Sequence, residues 1–171
     1  DGSKIATCAG DARAHIWDAA TGQRLHVLDA PQKKESFVRA VWSPDGALLV
    51  LTTWLENTFI YDTHDYSILQ QVRGYAPAMS PDGKALALAA KDGEIITLYD
   101  PISGNVIRTF PQLPVHVTQI AISPDNKDIA AGINNGSVWV WSMEGEPRWN
   151  TGSVHAPSTR HVVFSLRTVD C

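Results

Sequence analysis

A tetrapeptide, Ser-Pro-Asp-Gly or Ser-Pro-Asp-Asn, recurs three times in this chain. Its copies begin at Ser43, Ser80 and Ser123, at intervals of 37 and 43 residues, and each copy lies between two apolar runs. A second marker, an aromatic residue followed by Asp or Ser, keeps step with the first at Trp17-Asp18, Tyr61-Asp62, Tyr99-Asp100 and Trp141-Ser142. Two markers in phase predict a tandem repeat of roughly 40–45 residues, the length of one four-stranded blade of a β-propeller.

The residues between the markers indicate short strands. Apolar runs alternate with turns rich in Gly, Pro, Asn and Asp, and no stretch of ten or more residues keeps a helical period. The run after each Ser-Pro-Asp turn is almost wholly apolar, as at 47–51 and 85–90, which is typical of a strand covered on both faces. The last run of a unit is more polar, as at 70–73 and 147–150, which is typical of an outer edge strand. We therefore predict an all-β fold, a β-propeller of four-stranded antiparallel blades.

The repeat predicts that residues 1–171 form a single propeller domain or a fragment of one, with about four blades present. We predict a blade lacking its first strand at 1–30, full blades at 36–73, 74–112 and 115–152, and the first strand of the next or closing blade at 160–165. Two arrangements remain open. Either the last strand completes the opening blade and closes a small ring, or the chain is part of a larger propeller of about seven blades.

Charge and composition narrow the expected partners. The formal net charge is −4 and no cationic run exceeds Lys33-Lys34, so we expect no nucleic-acid partner. No apolar stretch approaches the ~20 residues that span a bilayer, so we expect no membrane partner either. Cys8 and Cys171 do not make a disulfide framework, which favours an intracellular location, cytoplasmic or nuclear. The class of partner that we still expect is another protein or a peptide. If the chain is truncated, we also expect self-association through exposed blade faces.

No catalytic, cofactor-binding or metal-binding motif is present in the sequence. The six histidines lack paired metal-ligand spacing, and the chain has neither a G-x-S-x-G nucleophile elbow nor a glycine-rich phosphate loop. We therefore predict a protein that is not an enzyme and has no cofactor. The alternative, an enzyme with an active site in the propeller channel, needs His, Asp or Glu on the first strands, which carry almost none.

The chain resembles the WD-repeat (WD40) family of β-propellers over essentially its whole length, with divergent repeats. The first unit is most similar, because Asp11 stands six residues before Trp17, and His155 stands ten residues before Ser165. In this family such residues form a buried hydrogen-bonded staple. The resemblance implies a staple of Asp11, Trp17 and His155, with Thr7 as a possible fourth member, and leaves the second and third units least constrained by polar contacts.

The resemblance also implies a non-catalytic scaffold that binds a protein or peptide on the top rim of the propeller. Trp54 follows the second strand of its unit, in the turn that lies on this rim, so we expect it to anchor a partner; the alternative is that it packs on a neighbouring blade. Arg39, Gln119 and His161 share one register of three first strands, four residues before a Ser, and Arg160 adds a charge beside the last. We expect these four residues to contribute to the same partner-binding surface.

Trp139 and Trp141 lie two residues apart on one strand, so both face one side and should pack between blades, whereas Trp149 on an outer strand should be exposed. By resemblance, the chain could also be the sensor or regulatory portion of a larger multidomain signalling protein.

Overall fold

The computed structural model describes residues 2–32, 35–90, 93–113, 116–154 and 158–165. This part of the chain contains fifteen strands and no helix, and therefore no helix long and apolar enough to cross a membrane. The strands are β1 (Lys4–Cys8), β2 (Arg13–Asp18), β3 (Arg24–Asp29), β4 (Phe37–Trp42), β5 (Leu48–Thr53), β6 (Asn57–Asp62), β7 (Ile68–Arg73), β8 (Tyr75–Met79), β9 (Leu86–Ala89), β10 (Ile96–Tyr99), β11 (Val106–Thr109), β12 (Val117–Ile122), β13 (Asp128–Ile133), β14 (Val138–Ser142) and β15 (Pro147–Asn150).

The strands form four antiparallel sheets, and within each sheet every strand pairs with the next one along the chain. The first sheet has three strands, β1 to β3, and the other three have four strands each, β4 to β7, β8 to β11 and β12 to β15. No described strand pairs across two sheets, so the sheets contact each other through side chains, with β4 beside β8 and β8 beside β12. This is the arrangement of successive propeller blades, and the predicted all-β fold class is confirmed.

The two ends of the sheets carry different connections. The Ser-Pro-Asp turns and the turns from third to fourth strands lie at one end. The turns from second to third strands and the connections between sheets lie at the other end, which we call the top rim. The second strands β5 and β9 are wholly buried, as their apolar composition predicts. They contribute to three apolar clusters, one between each pair of neighbouring sheets.

Aromatic and aliphatic side chains fill the space between the first and second sheets. Phe37 and Phe59 are fully buried there and meet edge to face, with ring centroids 6.4 Å apart. Ile16 of the first sheet and Leu49 of the second are fully buried in the same cluster. Each such side chain contributes roughly 1.5–3 kcal/mol on leaving water, so packing between sheets is the main source of stability.

Each Ser-Pro-Asp turn is closed by a buried serine hydroxyl. The Ser43 hydroxyl donates to Asp45 Oδ1 at 2.5 Å and accepts from the Leu48 amide at 2.8 Å, where β5 begins. The other two turns repeat the pattern, through Ser80 with Asp82 and Ala85, and Ser123 with Asp125 and Asp128. The fourth turn residue has positive φ, 74° at Gly46 and 57° at Asn126, which explains why only Gly or Asn stands there.

Residues 158–165 form no strand in the structure, and the role of 160–165 as the first strand of the next or closing blade stays a prediction. Residues 158–165 lie against the fourth sheet, where the Thr159 amide donates to Ile133 O at 3.1 Å and the Thr159 hydroxyl to Ser137 O at 3.3 Å. A first strand is defined by hydrogen bonds to the second strand of its own blade, and no described segment supplies them. The segment does not pair with β1 either, so the first sheet keeps three strands.

Candidate functional site

The turn between β5 and β6 presents Trp54 on the top rim. The Glu56 amide donates to Thr53 O at 3.0 Å, and Glu56 takes a positive φ of 63°, so the turn is tight. At its tip the side chain of Trp54 is 58% exposed and that of Leu55 is 45% exposed. Trp54 therefore lies on the surface rather than between blades. Its amide donates to Ser36 O at 3.1 Å, which ties the turn to the entry of β4.

A β-bulge places two consecutive side chains of β4 at the surface. The pairing of β4 with β5 shifts between Phe37 and Arg39, so Val38 is an extra residue. A bulge breaks the usual alternation of faces, and here both Val38 and Arg39 are exposed. The first strands β8 and β12 have register shifts at similar places. Sequence analysis missed these bulges, because no glycine marks them.

A buried polar pair holds the rim beneath Trp54. Glu35 is 2% exposed and Asn57 is 5% exposed, and Asn57 Nδ2 donates to Glu35 Oε1 at 2.8 Å. The Asn57 amide also donates to Thr53 Oγ1 at 3.2 Å. These contacts join the segment before β4 to both ends of the β5–β6 turn. The second unit therefore has a buried polar contact of its own, which the sequence did not predict.

The other predicted rim residues lie on the fourth sheet. Gln119 is partly buried, and its Oε1 lies 3.0 Å from His161 Nδ1, while its Nε2 donates to Val162 O at 3.4 Å. Arg160 is exposed beside them. The structure thus brings Gln119 and His161 together, but no hydrogen bond or ion pair in the described ranges links them to Trp54 or Arg39.

Three of the four predicted staple residues lie on the first sheet within the described residues, and His155 lies outside them. Trp17 Nε1 donates to Thr7 Oγ1 at 2.8 Å. Asp11 instead accepts from the Arg13 amide at 3.2 Å, and its Oδ2 lies 3.7 Å from His15 Nε2. The His15 ring stacks on Trp17, with centroids 5.8 Å apart. The staple role of the four residues stays a prediction.

Neighbouring sheets also meet along their outer edges in a repeated contact. In the first three sheets the last-strand residue that directly follows a bulge reaches the turn between the last two strands of the next sheet. The contacts are a ring stack of His26 on Tyr66 at 4.3 Å, a hydrogen bond from Gln70 Nε2 to Ile102 O at 2.9 Å, and an ion pair of Arg108 with Glu144 at 2.9 Å.

The tryptophans of the fourth sheet have separate roles. Trp141 is buried in the cluster between the third and fourth sheets, Trp139 packs against that cluster, and their rings stack with centroids 6.0 Å apart, so the predicted packing is confirmed for both. Trp149 is 56% exposed on β15, as predicted. It occupies the register of His26, Gln70 and Arg108 in the other sheets.

The part of the chain that the structure describes contains no group of three or more His, Cys, Asp or Glu residues placed to hold a metal ion. The clearest perturbed group on a first strand is Tyr75, whose hydroxyl donates to Val117 O at 2.8 Å. Burial, with a smaller effect of the negative charge of Glu56, raises the pKa of Tyr75 to about 12. Tyr75 therefore stays protonated at neutral pH and joins two neighbouring first strands.

The comparison with known families decides the identity of the repeat. Residues 104–142 match the family described as "WD domain, G-beta repeat". This segment begins just before β11 and ends with β14, so it takes the last strand of one sheet and three strands of the next. This segment of the chain is similar to a WD repeat, and the predicted resemblance to the WD-repeat family is confirmed.

Longer WD-repeat proteins are similar to most of this chain. It is 25% identical over 154 residues to "WD repeat-containing protein 26 homolog" of Arabidopsis thaliana, covering 86% of this chain and 25% of the relative. It is 23% identical over 162 residues to "Guanine nucleotide-binding protein subunit beta" of Oryza sativa subsp. indica, covering 81% and 41%.

A solved structure shares the fold. A chain of the "Crystal Structure of Mitotic Checkpoint Complex" superposes with a TM-score of 0.77 at 20% identity, covering 92% of this chain and 48% of that one. At this identity the likeness concerns the fold alone. The present chain spans less than half the length of each of these three proteins.

Proposed function

We propose that this WD-repeat chain is a non-catalytic scaffold that binds another protein or a peptide through the top rim of its second sheet. The observation that supports this most strongly is the exposure of Trp54, 58%, at the tip of a turn fixed from below by the Glu35–Asn57 hydrogen bond. A large aromatic side chain held in place at a surface is the usual anchor of a protein interface, because it buries much area at little cost in side-chain entropy.

Arg39, on the first strand β4 of the second sheet, extends the proposed surface. It pairs in register with Thr52, two residues before Trp54, and its guanidinium can donate to a partner carboxylate or carbonyl. Gln119, Arg160 and His161 on the fourth sheet form a second contact region in this proposal. The names of the relatives support protein partners in general terms, since one is a G-protein subunit and the similar structure is a complex.

The test compares two tryptophans of equal exposure. Proteins captured from a native extract by the immobilised chain are compared with those captured by Trp54→Ala and Arg39→Ala variants, and by Trp149→Ala as a matched control, since Trp149 is 56% exposed on an outer strand. We expect the Trp54→Ala variant to lose captured proteins that the control retains, with an affinity loss of roughly tenfold or more. Equal capture by all variants would refute this surface.

A further inference from the structure

The surface around Trp54 combines apolar area with one cation. Val38, Trp54 and Leu55 are all exposed, Val38 at 53%. In the pairing of β4 with β5, Phe37 lies opposite Thr53 and Arg39 lies opposite Thr52. The bulge residue Val38 lies between these two pairs, next to Arg39 and close to the turn that carries Trp54. Because paired residues lie about 5 Å apart, these side chains emerge from a single small area of the rim.

The Arg39 guanidinium is not engaged by a carboxylate of the described chain. Arg13, Arg108 and Arg148 each form an ion pair with a carboxylate, whereas Arg39, like Arg24, Arg73 and Arg160, forms none within the described ranges. An exposed guanidinium beside apolar side chains can bind a carboxylate with two parallel hydrogen bonds. Such an ion pair is stronger once the partner excludes water from it, because the local dielectric constant falls.

Two acidic residues lie close to this surface in the sequence. Glu35 is buried beneath the rim and accepts from Asn57. Glu56, two residues after Trp54, is half-buried. Arg39 is exposed, so it is the charged side chain most open to a partner at this point of the described chain.

We propose that the partner segment recognised by this surface is an acidic peptide with at least one aromatic or aliphatic side chain. The apolar side chain packs on Trp54, Leu55 and Val38, and a neighbouring carboxylate pairs with Arg39. This inference rests on the proposed function and adds the chemistry of the partner. A single-stranded nucleic acid also offers anions and flat rings, but the formal net charge of −4 disfavours it.

The experiment selects peptides that bind the chain from a random library, with no assumption about their sequence. A phage-displayed library of random peptides is panned on the full chain, and selected peptides are synthesised and measured by fluorescence polarisation against the wild type. The same peptides are measured against Trp54→Ala, Arg39→Ala and Arg39→Glu, with Trp149→Ala and Arg24→Ala as matched controls, because Arg24 is an exposed arginine on an outer strand. A labelled oligothymidylate is measured in parallel.

We expect the selected peptides to carry an excess of Asp and Glu next to an apolar residue. The Trp54→Ala change should weaken the binding of these peptides roughly tenfold. The Arg39→Ala change should weaken it about three- to tenfold, and this second loss should be smaller at high salt because salt screens the ion pair. Arg39→Glu should invert the preference, so that peptides with Lys in place of Glu bind this variant better than they bind the wild type.

Other outcomes separate the inference from the proposed function. Peptides that need Trp54 but show no acidic bias and ignore Arg39→Glu would overturn the acidic partner and leave the rim surface in place. Oligothymidylate binding that needs Trp54 and exceeds peptide binding would overturn the peptide class. If no selected peptide depends on Trp54, or none is selected, both the inference and the proposed function fail.

Discussion

At the scale of single residues, a few buried polar side chains fix the position of the exposed ones. Asn57 donates to Glu35 across 22 positions of sequence and thereby joins two segments of the top rim. A buried amide–carboxylate hydrogen bond contributes about 1.5–3 kcal/mol, and leaving one partner unsatisfied costs a similar amount. The exposure of Trp54 thus depends on side chains that a partner never touches.

Replacing Asn57 by Asp should be strongly destabilising. The change removes the amide donor and places a second carboxylate against Glu35, 2.8 Å away, in a buried site. We expect a loss of about 3 kcal/mol or more in the free energy of unfolding, measured by urea denaturation. Asn105→Asp, at an exposed turn, is the control and should cost less than about 0.5 kcal/mol.

Glu35→Gln separates the hydrogen bond from the charge at the same site. The glutamine carbonyl can still accept from Asn57, so this variant should stay within about 1 kcal/mol of the wild type while Glu35→Ala loses more. If Asn57→Asp unfolds at the same urea concentration as Asn105→Asp, the Glu35–Asn57 pair is not a staple.

At the scale of elements, position within a sheet decides what each strand does. The second strands β5 and β9 are buried by both neighbouring sheets. The first strands are bulged near the top rim, where Val38 and Arg39 become exposed together. The outer strands are solvated, and in the first three sheets each uses one side chain to reach the next sheet, as Arg108 reaches Glu144.

The Arg108–Glu144 ion pair offers a test of this outer-edge contact. Both side chains are partly solvated, so we expect a small coupling free energy of about 0.5 kcal/mol in a double-mutant cycle. The charge-swapped double variant, Arg108→Glu with Glu144→Arg, should recover most of the stability that either single reversal loses. Strictly additive effects of the two reversals would show that the third and fourth sheets do not meet there.

At the scale of the whole molecule, the repeated turns make stability depend on pH. The serine hydroxyl bonds, aided by backbone amides, lower the pKa of Asp45, Asp82 and Asp125 below the ordinary value of 3.8. A lowered pKa in the folded state means that the ionised form favours folding. This contribution is complete above the unfolded pKa and is lost as pH falls through the folded pKa.

A triple Asp45→Asn, Asp82→Asn, Asp125→Asn variant tests this dependence. The urea concentration at the unfolding midpoint of the wild type should decrease as the pH is lowered from about 5 to about 2. The decrease should be smaller in the variant, because three of the responsible carboxyl groups are gone. An unchanged acid slope in the variant would assign the pH dependence to other groups.

The fold was predictable because its markers are local. Ser-Pro-Asp turns act through hydrogen bonds two to five residues apart, so their spacing alone predicted the repeat and its strands. The site was only partly predictable. The Glu35–Asn57 pair and the bulge at Val38 depend on how distant segments align, which spacing does not encode. Residues 160–165 have a strand-like sequence, but a strand also needs a paired neighbour.

Hydrogen–deuterium exchange of the chain, with and without its selected peptide, tests the central claim most directly. The chain should gain protection at residues 36–39 and 53–57, where Arg39 and Trp54 lie, and should change little along β7, β11 and β15. Protection confined to those outer strands, with none at 36–39 or 53–57, would contradict it.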